Sequence, residues 1–275
     1  MSGAVGRFLS DGRLHLHHGP IDLICQAWGD TVAVTAGYQR AVARFDGVLG
    51  ELVAELPALR IENAALHGPI ALVMGRAVAP FRPAFITPMA AVAGAVAEAV
   101  LAAMVGNGIA RAYVNNGGDI AVHLTGREVL TCAMAGTGGQ VEMRAANPSR
   151  GIATSGWRGR SWSRGIADSV TVLAKTASMA DAAATMIANA VDLPGHPGIA
   201  RRAATDLQAD SDLGHRLVTV GVSGLTAADI TQALDRGAIA ARSFLVRGLI
   251  DSAALFLQSD HRILGEIALK ETAFA

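Results

Sequence analysis

The sequence predicts an α+β fold with largely antiparallel sheets, and three observations lead to this. Hairpin-like pairs of strands outnumber strand–helix–strand crossovers, and predicted strands and helices recur in clusters rather than in strict alternation. Of the 275 residues, 51% are hydrophobic but only 4% are aromatic, so the apolar content is rich in alanine and valine, which suit close packing of helices on a sheet. No Pro/Gly/Ser-rich linker divides the chain, so residues 1–275 are expected to form a single domain.

Charge and cysteine usage narrow the class of protein. The formal net charge is +0, with 23 basic and 23 acidic residues, which gives no global electrostatic reason to expect DNA, RNA or an anionic membrane as a partner. Charged residues make up only 17% of the chain, which favours a thick core or a buried subunit interface and predicts a homo-oligomer.

Cys25 and Cys132 lie in apolar runs outside any C-x-x-C pattern and are predicted to be buried free thiols. With no secretory h-region at the N-terminus, a cytoplasmic location is expected.

The first predicted element is a hairpin formed by residues 13–17 and 21–27 around a Gly-Pro turn. Three histidines lie here, and a metal site is one interpretation of them. Strand alternation places His15 and His17 on one face and His18 on the other. No carboxylate follows at ligand spacing, so a half-exposed strand is favoured over a metal site.

Three helices are predicted next. Residues 32–56 carry apolar side chains at intervals of three and four, residues 70–78 continue this periodicity, and residues 90–105 form an alanine-rich helix. Glu98 interrupts the apolar run of the third helix, which therefore reads as buried in the protein rather than in a membrane. A glycine C-cap is expected at its end, at Gly106 or Gly108.

Residues 111–124 predict a second hairpin, with Asn115, Asn116, Gly117, Gly118 and Asp119 between two alternating apolar runs. Asn and Gly accept the positive φ that tight hairpin turns require, so the sequence is explained by a turn alone. A second interpretation stays open. Adjacent glycines also allow backbone N–H groups to approach a phosphate or a ring, with the Asn and Asp side chains as polar contacts.

Strands are then predicted at residues 128–134 and 151–156. Residues 136–139 between them form a glycine-rich turn that lacks the spacing of a P-loop or a dinucleotide fingerprint. The second strand ends in Thr154 and Ser155, and the segment W-R-G-R-S-W-S-R at residues 157–164 follows it. Its arginines and tryptophans could hold a phosphate and a flat ring, contact nucleic acid, or form a solvated loop. The neutral overall charge argues against nucleic acid.

A strand at residues 168–173 leads into a strongly predicted helix that carries Asp181 and Thr185, four residues apart on one face. Two explanations of Asp181 stay open. Ser178 could be the N-cap, with Asp181 completing a capping box, or Asp181 and Thr185 could both reach a hard cation such as Mg²⁺.

The C-terminal third continues the α+β pattern. It predicts a strand at residues 217–222, a helix at residues 227–246, and a closing hairpin from residues 249–258 and 263–268.

Three segments in this order, V-N-N-G-G-D-I, I-A-T-S-G and A-D-A-A-A-T, resemble the ApbE superfamily of flavin transferases, over about residues 85–191. Members of that family transfer FMN from FAD to a threonine or serine of a partner protein in a reaction that depends on Mg²⁺. The resemblance implies two similar T-fold-like halves with FAD or FMN held between them, and an acceptor protein as a partner. It also implies Mg²⁺ bound by Asp181, Thr185 and a main-chain carbonyl near Val92. The candidate cofactor-binding residues are Asn115, Asn116, Gly117, Gly118, Asp119, Thr154, Ser155 and Gly156.

The chain departs from the family pattern at two places. Ala93 stands where a lysine is expected, and the family's His-x-x-Asp-Pro segment before the S-V-T-V strand is replaced by R-S-W-S-R-G-I-A-D, which leaves Asp168 as the candidate catalytic residue. We therefore expect a protein that binds a flavin or adenine nucleotide with Mg²⁺ and has weak or no FMN-transfer activity. The alternative is a non-catalytic regulatory module that binds the same ligand.

Overall fold

The structure is a computed structural model that describes residues 3–134, 139–266 and 269–271. The strands are β1 (Val5–Phe8), β2 (Leu14–His18), β3 (Ile21–Gly29), β4 (Ile109–Asn116), β5 (Asp119–Leu124), β6 (Val129–Ala133), β7 (Gly139–Arg144), β8 (Gly151–Ser155), β9 (Ser169–Ala174), β10 (Ile199–Ala203), β11 (Leu217–Val222), β12 (Ser252–Leu257), β13 (Asp260–Gly265) and β14 (Leu269–Glu271). The helices are α1 (Thr31–Asp46), α2 (Val48–Ala54), α3 (Leu56–Leu59), α4 (Pro69–Val78), α5 (Val92–Met104), α6 (Ala177–Ala190), α7 (Ala204–Leu207) and α8 (Ala227–Val246).

One large sheet organises the molecule. Its nine strands follow the order β1-β2-β3-β4-β5-β8-β9-β12-β13, and every neighbouring pair is antiparallel. Helices pack on one face of this sheet. The α+β class with largely antiparallel sheets is therefore confirmed.

The order of elements repeats along the chain. A hairpin, helices that pack on each other and a second hairpin occur first as β2-β3, α1 with α5, and β4-β5. They occur again as β8-β9, α6 with α8, and β12-β13. Helices α5 and α6 pack against each other where the two sets meet. This repeat agrees with the two similar halves that the resemblance implies, whereas the behaviour of residues 1–275 as one domain stays a prediction.

The other face of the large sheet is partly covered by a small sheet of order β14-β7-β6. A second apolar cluster lies between the two sheets, with Ile120 and Val122 of β5 facing Val141 and Met143 of β7. The turn predicted at residues 136–139 lies mostly outside the described residues. In the part of the chain that the structure covers, no helix is both long and apolar enough to span a membrane.

Some element boundaries differ from the sequence prediction. The single helix expected at residues 32–56 is wrong, because Gly47 ends α1 and the chain continues as two short helices. Glycine has low helix propensity, and the periodicity of the apolar residues continues across this break. The C-cap of helix α5 is Val105, so the prediction of a glycine there is wrong. Gly108, three residues further on, has φ +87°. Residues 5–8 form an exposed edge strand that was not predicted.

The histidines of β2 lie as alternation predicted, with His15 and His17 on one face. Asp22 of β3 lies opposite His17, and its carboxylate is 3.1 Å from His15 Nε2 and 3.3 Å from His17 Nδ1. This carboxylate was not predicted, because it reaches the histidines from the opposite strand of the hairpin. In the described ranges no group of three or more His, Cys, Asp or Glu side chains is arranged to hold a metal ion.

Both cysteines are free, as predicted. Cys25 is buried in the helix-facing core, as predicted. Cys132 lies in β6 of the small sheet and is only half-buried, so the prediction that it is buried is wrong. Burial raises the pKa of the Cys25 thiol to about 12, so this thiol stays protonated and unreactive at neutral pH.

Candidate functional site

The candidate site lies where the β4–β5 turn meets the N-terminal ends of α5 and α6. Gly117 and Gly118 form a two-residue hairpin turn with φ of +66° and +116°, and Asn116 pairs with Asp119 across it. Both φ values lie in the region that favours glycine. The hairpin interpretation is therefore confirmed, and the turn brings two polar side chains to the helix-covered face of the sheet.

Asn116 and Asp119 connect the turn to its surroundings. The Asn116 Nδ2 group donates to the main-chain oxygen of Ala93, 3.1 Å away in the first turn of α5. Oδ1 of Asp119 accepts a hydrogen bond of 3.2 Å from the backbone N–H of Thr154 in β8. Asn116 and Asp119 therefore hold three elements together at one end of the sheet.

Asp181 enters the same region from α6. Its Oδ2 accepts a hydrogen bond of 3.0 Å from the backbone N–H of Gly94. The residue that precedes α5, Ala91, provides no side-chain cap, so Asp181 satisfies a free donor at the start of that helix from across the fold. A Cβ on Gly94 would lie 2.3 Å from the Ala177 oxygen, which shows why the two helices can approach this closely only at glycine.

The capping box predicted for α6 itself is wrong. Thr176 is the N-cap, and its side chain accepts from the Met179 N–H. The Ser178 hydroxyl lies 3.1 Å from the Thr176 hydroxyl, and the Ser178 N–H donates to Glu98 Oε1 at 2.6 Å. Asp181 is therefore not needed to cap its own helix.

The carboxyl group of Asp119 has a raised pKa. Desolvation by burial is the largest cause that raises the pKa of its carboxyl, to about 7, and the hydrogen bond from Thr154 opposes the shift. The carboxyl group therefore keeps its proton to a higher pH than an exposed aspartate does.

Asp181 is perturbed in the same direction. Burial first, and then the charge of Asp119, raise the pKa of Asp181 well above its usual range. The N–H groups of Gly94 and Ala93 oppose this shift, and the Glu98 charge adds to it. Asp119 and Asp181, which we call the carboxylate pair, thus face each other closely enough for one charge to penalise the other.

The carboxylate pair fits a hard divalent cation. Mg²⁺ prefers oxygen ligands and is commonly held by one or two carboxylates, with other oxygens completing its shell. A dication beside both groups would favour their ionised forms and remove the repulsion between them. Thr185 is half-buried one turn after Asp181 on α6, and Val92 is the first residue of α5, so the two other predicted ligands lie on the two helices that meet here.

The other predicted cofactor-binding residues are divided between two faces of the sheet. Oδ1 of Asn115 accepts from the Gly118 N–H at 2.9 Å, and the hydroxyl groups of Thr154 and Thr171 are 2.9 Å apart. These side chains line a cavity of about 270 Å³ between the large and small sheets, on the face away from the helices. The cavity is near the lower limit of about 300 Å³ for typical ligand sites, so it could hold only part of a nucleotide.

Ser155 is the last residue of β8, and Gly156 follows it. Ser155 is half-buried and pairs with Val170 in β9. A Cβ on Gly156 would lie 2.3 Å from the main-chain oxygen of Asp168, so close packing explains this glycine without a ligand.

Asp168, the candidate catalytic residue, is held by three donors. Its carboxylate accepts from Trp157 Nε1 at 3.1 Å, from Arg158 Nε at 3.0 Å and from the Gln258 N–H at 2.6 Å. Arg158 also stacks on the Trp157 ring, with its guanidinium carbon 4.5 Å from the ring centroid. The Trp157 ring, which the sequence offered as a surface for a ligand ring or a base, is thus occupied on one face by its neighbour.

Sequence reasoning missed the roles of Glu98 and Gly94. Glu98 was noted only as an interruption of an apolar run, yet it accepts the Ser178 N–H at the start of α6. A single carboxylate inside an alanine-rich helix was the available indication, because buried carboxylates need partners.

Comparison with known proteins identifies the family of this chain. A family model described as "AbpE bacteria" matches residues 6–269. A UPF0280 protein of Methanothermobacter thermautotrophicus is 41% identical over 120 residues, which are 41% of this chain and 46% of that protein. A UPF0280 protein of Methanopyrus kandleri is 39% identical over 142 residues, 50% of this chain and 54% of that protein. The chain spans about half the length of the curated relatives that it matches.

Among solved structures, the apo form of the flavinyl transferase ApbE of Pseudomonas stutzeri is similar with a TM-score of 0.34 and 14% identity. That similarity covers 87% of this chain and 73% of the other. The family model extends over nearly all of the described residues and agrees with the resemblance carried by the three sequence motifs. The chain therefore belongs to the family described as AbpE bacteria, which confirms its ApbE-like character.

Proposed function

We propose that this protein binds Mg²⁺ through the carboxylate pair and holds a flavin or adenine nucleotide beside it, with weak or no FMN-transfer activity. The observation that carries the proposal is the approach of Asp119 and Asp181, which belong to two of the three motifs of the ApbE resemblance. Both residues are half-buried, and carboxylates whose pKa is raised by desolvation are found more often at functional sites than elsewhere. A divalent cation would relieve their repulsion, which gives the pair a physical reason to exist.

The nucleotide part of the proposal depends on the glycine turn. Gly117 and Gly118 have no side chains that would block a ligand, and Arg160 extends over Gly117 while its Nη2 donates to the Pro20 oxygen at 3.3 Å. Its Nη1 is 2.9 Å from the position of a Cβ on Gly117. A cation beside a side-chain-free turn suits a phosphate, and bound Mg²⁺ would supply neutralisation of phosphate charge.

Weak transfer is proposed because the chain lacks the side chains that the resemblance leads us to expect. Ala93 offers no ammonium group, and its carbonyl oxygen accepts from Asn116. Residues 157–167 contain no histidine, and Asp168 is already held by three donors. Groups that act mainly in the transition state can be lost with little effect on ligand affinity. A regulatory module that binds without turnover is the second candidate, and it is favoured by the same three observations.

Asp181→Asn tests the binding proposal. The amide keeps the size of the side chain and an oxygen for the Gly94 N–H, but it loses the charge that a hard cation needs. In thermal-shift and calorimetric titrations, the parent should bind FAD or ADP in a Mg²⁺-dependent manner. Ligand at about 100 times its Kd should add roughly 2.7 kcal/mol to the free energy of unfolding. Asp181→Asn should lose this gain, and Asp46→Asn, at an exposed position, should keep it.

Two outcomes would contradict the binding proposal. One is a parent protein that shows no shift with any nucleotide and Mg²⁺. The other is an Asp181→Asn variant that binds as the parent does, which would leave Asp181 with only its structural role at the start of α5.

Transfer activity is tested separately, by incubating the protein with FAD, Mg²⁺ and an acceptor protein that contains a suitable threonine. Little or no covalent flavin on the acceptor is expected. Efficient transfer would show that another group replaces the missing histidine, and would refute the weak-transfer part while leaving the binding part intact.

A further inference from the structure

Three arginines from separate segments meet beside the C-terminal end of α6. The N–H of Thr219 in β11 donates to the Ser163 oxygen at 2.8 Å, which places the segment before β9 against the β10–β11 pair. This contact brings together Arg164, Arg201 of β10 and Arg216, which directly precedes β11. We refer to these three residues as the arginine cluster.

Only Arg201 in this cluster has a carboxylate partner among the described residues. Its guanidinium pairs with Asp192 and donates to the main-chain oxygen of Arg164, and it lies 3.5 Å from the Thr219 hydroxyl. Asp192 is therefore already engaged. The three arginines carry three positive charges and Asp192 carries one negative charge, so the cluster has an excess of two positive charges.

The guanidinium of Arg164 has no counter-charge paired with it in the part of the chain that the structure describes. The side chain is half-buried, and within the described ranges it has no hydrogen-bond or ion-pair partner, although its backbone N–H donates to Asn189 at 2.8 Å. Burial first, and then the charge of Arg216, lower the pKa of Arg164, while Asp192 opposes this. A half-buried cation next to another cation is unfavourable unless a counter-charge is present.

Arg216 points its charge into the same region. Its guanidinium carbon lies 3.2 Å from the centroid of the Phe85 ring, and its Nη1 is 3.4 Å from the Leu213 oxygen. The stacking on Phe85 fixes the plane of the guanidinium and leaves N–H donors for another acceptor.

We propose that Arg164 and Arg216 form a binding site for a phosphate group. Arginine forks match phosphate oxygens, and a phosphate monoester carries about −1.5 to −2 charges at pH 7, close to the excess charge of the cluster. A carboxylate would neutralise only half of that excess. The C-terminal end of α6 attracts one cation through its dipole, but this does not explain a second cation beside the first.

This site is separate from the carboxylate pair. Asn189, which holds the backbone of Arg164, follows Asp181 by eight residues on α6, a rise of about 12 Å. The proposal therefore stands independently of Mg²⁺ and of flavin binding, and it can be tested without either.

The test is calorimetric titration of the whole protein with inorganic phosphate and pyrophosphate in EDTA, so that no divalent cation is available to the carboxylate pair. The parent should bind saturably. Arg164→Gln and Arg216→Gln should each weaken binding about ten- to hundredfold, as expected for the loss of charged hydrogen bonds. Arg164→Lys, which keeps the charge but not the fork, should bind with intermediate affinity.

One variant serves as the control. Arg202→Gln removes the same charge at an exposed position next to Arg201 and should bind like the parent. Circular dichroism and melting curves identify variants that do not fold. If Arg164→Gln does not fold, the affinity of Arg164→Lys for phosphate decides whether the proposal stands. The proposal is overturned by a parent that does not bind saturably, by equal affinity in Arg164→Gln or Arg164→Lys and the parent, or by an equal loss in Arg202→Gln.

Discussion

The raised pKa of Asp119 predicts an unusual dependence of stability on pH. Burial moves this pKa from 3.8 to about 7, and a shift of this size corresponds to about 4 kcal/mol at 1.36 kcal/mol per unit. Between these two values the folded protein binds a proton that the unfolded chain releases. The free energy of unfolding therefore falls as pH rises from about 4 to about 7, and this contribution is constant above pH 7.

Asp119→Asn removes this contribution because an amide does not ionise. The amide oxygen can still accept the Thr154 N–H, so the hydrogen bond is kept. In EDTA at pH 8 the variant should be more stable than the parent by up to about 4 kcal/mol, and this gain should shrink as pH falls towards 4. The pKa of Asp181 should also fall, since the charge of Asp119 is its second-largest cause.

The assay is urea denaturation of parent and variant across pH 4.5 to 8.5. The result is the difference between their free energies of unfolding, because carboxylates outside the carboxylate pair contribute equally to both. Saturating Mg²⁺ should stabilise only the parent, and so should remove the difference in the free energy of unfolding at pH 8. If the difference in the free energy of unfolding does not change with pH, Asp119 is not desolvated in solution, and its pKa is not raised as this prediction requires. Asp46→Asn serves as the control at an exposed position and should show no such dependence.

Two further substitutions test the packing and the alternative catalytic residue. Gly94→Ala should destabilise the protein by about 1–3 kcal/mol, because the added Cβ would lie 2.3 Å from the Ala177 oxygen, whereas Gly50→Ala, with nothing within 4 Å, should be neutral or slightly stabilising in the same melting experiment. Asp168→Asn should lower the free energy of unfolding by about 1–2 kcal/mol and leave Mg²⁺-dependent nucleotide binding unchanged, since its carboxylate accepts from three donors. Loss of any measurable flavin transfer at unchanged stability would instead assign Asp168 a catalytic role.

The features predicted correctly from sequence are those that local chemistry determines. The Gly117-Gly118 turn required positive φ at both positions, and strand alternation placed His15 and His17 on one face. Helix α8 begins and ends as its periodicity predicted, at Ala227 and Val246. In each case the information lies within a few residues of the chain.

The features that were missed depend on contacts between distant segments. Ser178 was expected to cap α6, but Thr176, two residues earlier, carries an equally suitable hydroxyl, and only the surrounding fold selects between them. The partner of Asp181 is Gly94, 87 residues away, so no local pattern could show that this carboxylate satisfies another helix. The same reasoning applies to Asp22, which reaches His15 and His17 only because the hairpin pairs their strands.

The position of Asp181 shows how one carboxylate can serve both the fold and a ligand. In the structure it satisfies the Gly94 N–H at the start of α5, where the helix dipole favours negative charge. A nucleotide phosphate could satisfy the same donor, because backbone N–H groups at a helix N-terminus are suited to anions. Asp181 would then be free to turn its charge to the cation that accompanies the phosphate. We infer that nucleotide and Mg²⁺ each raise the affinity for the other, which is why the effect of Asp181→Asn should appear in Mg²⁺-dependent binding.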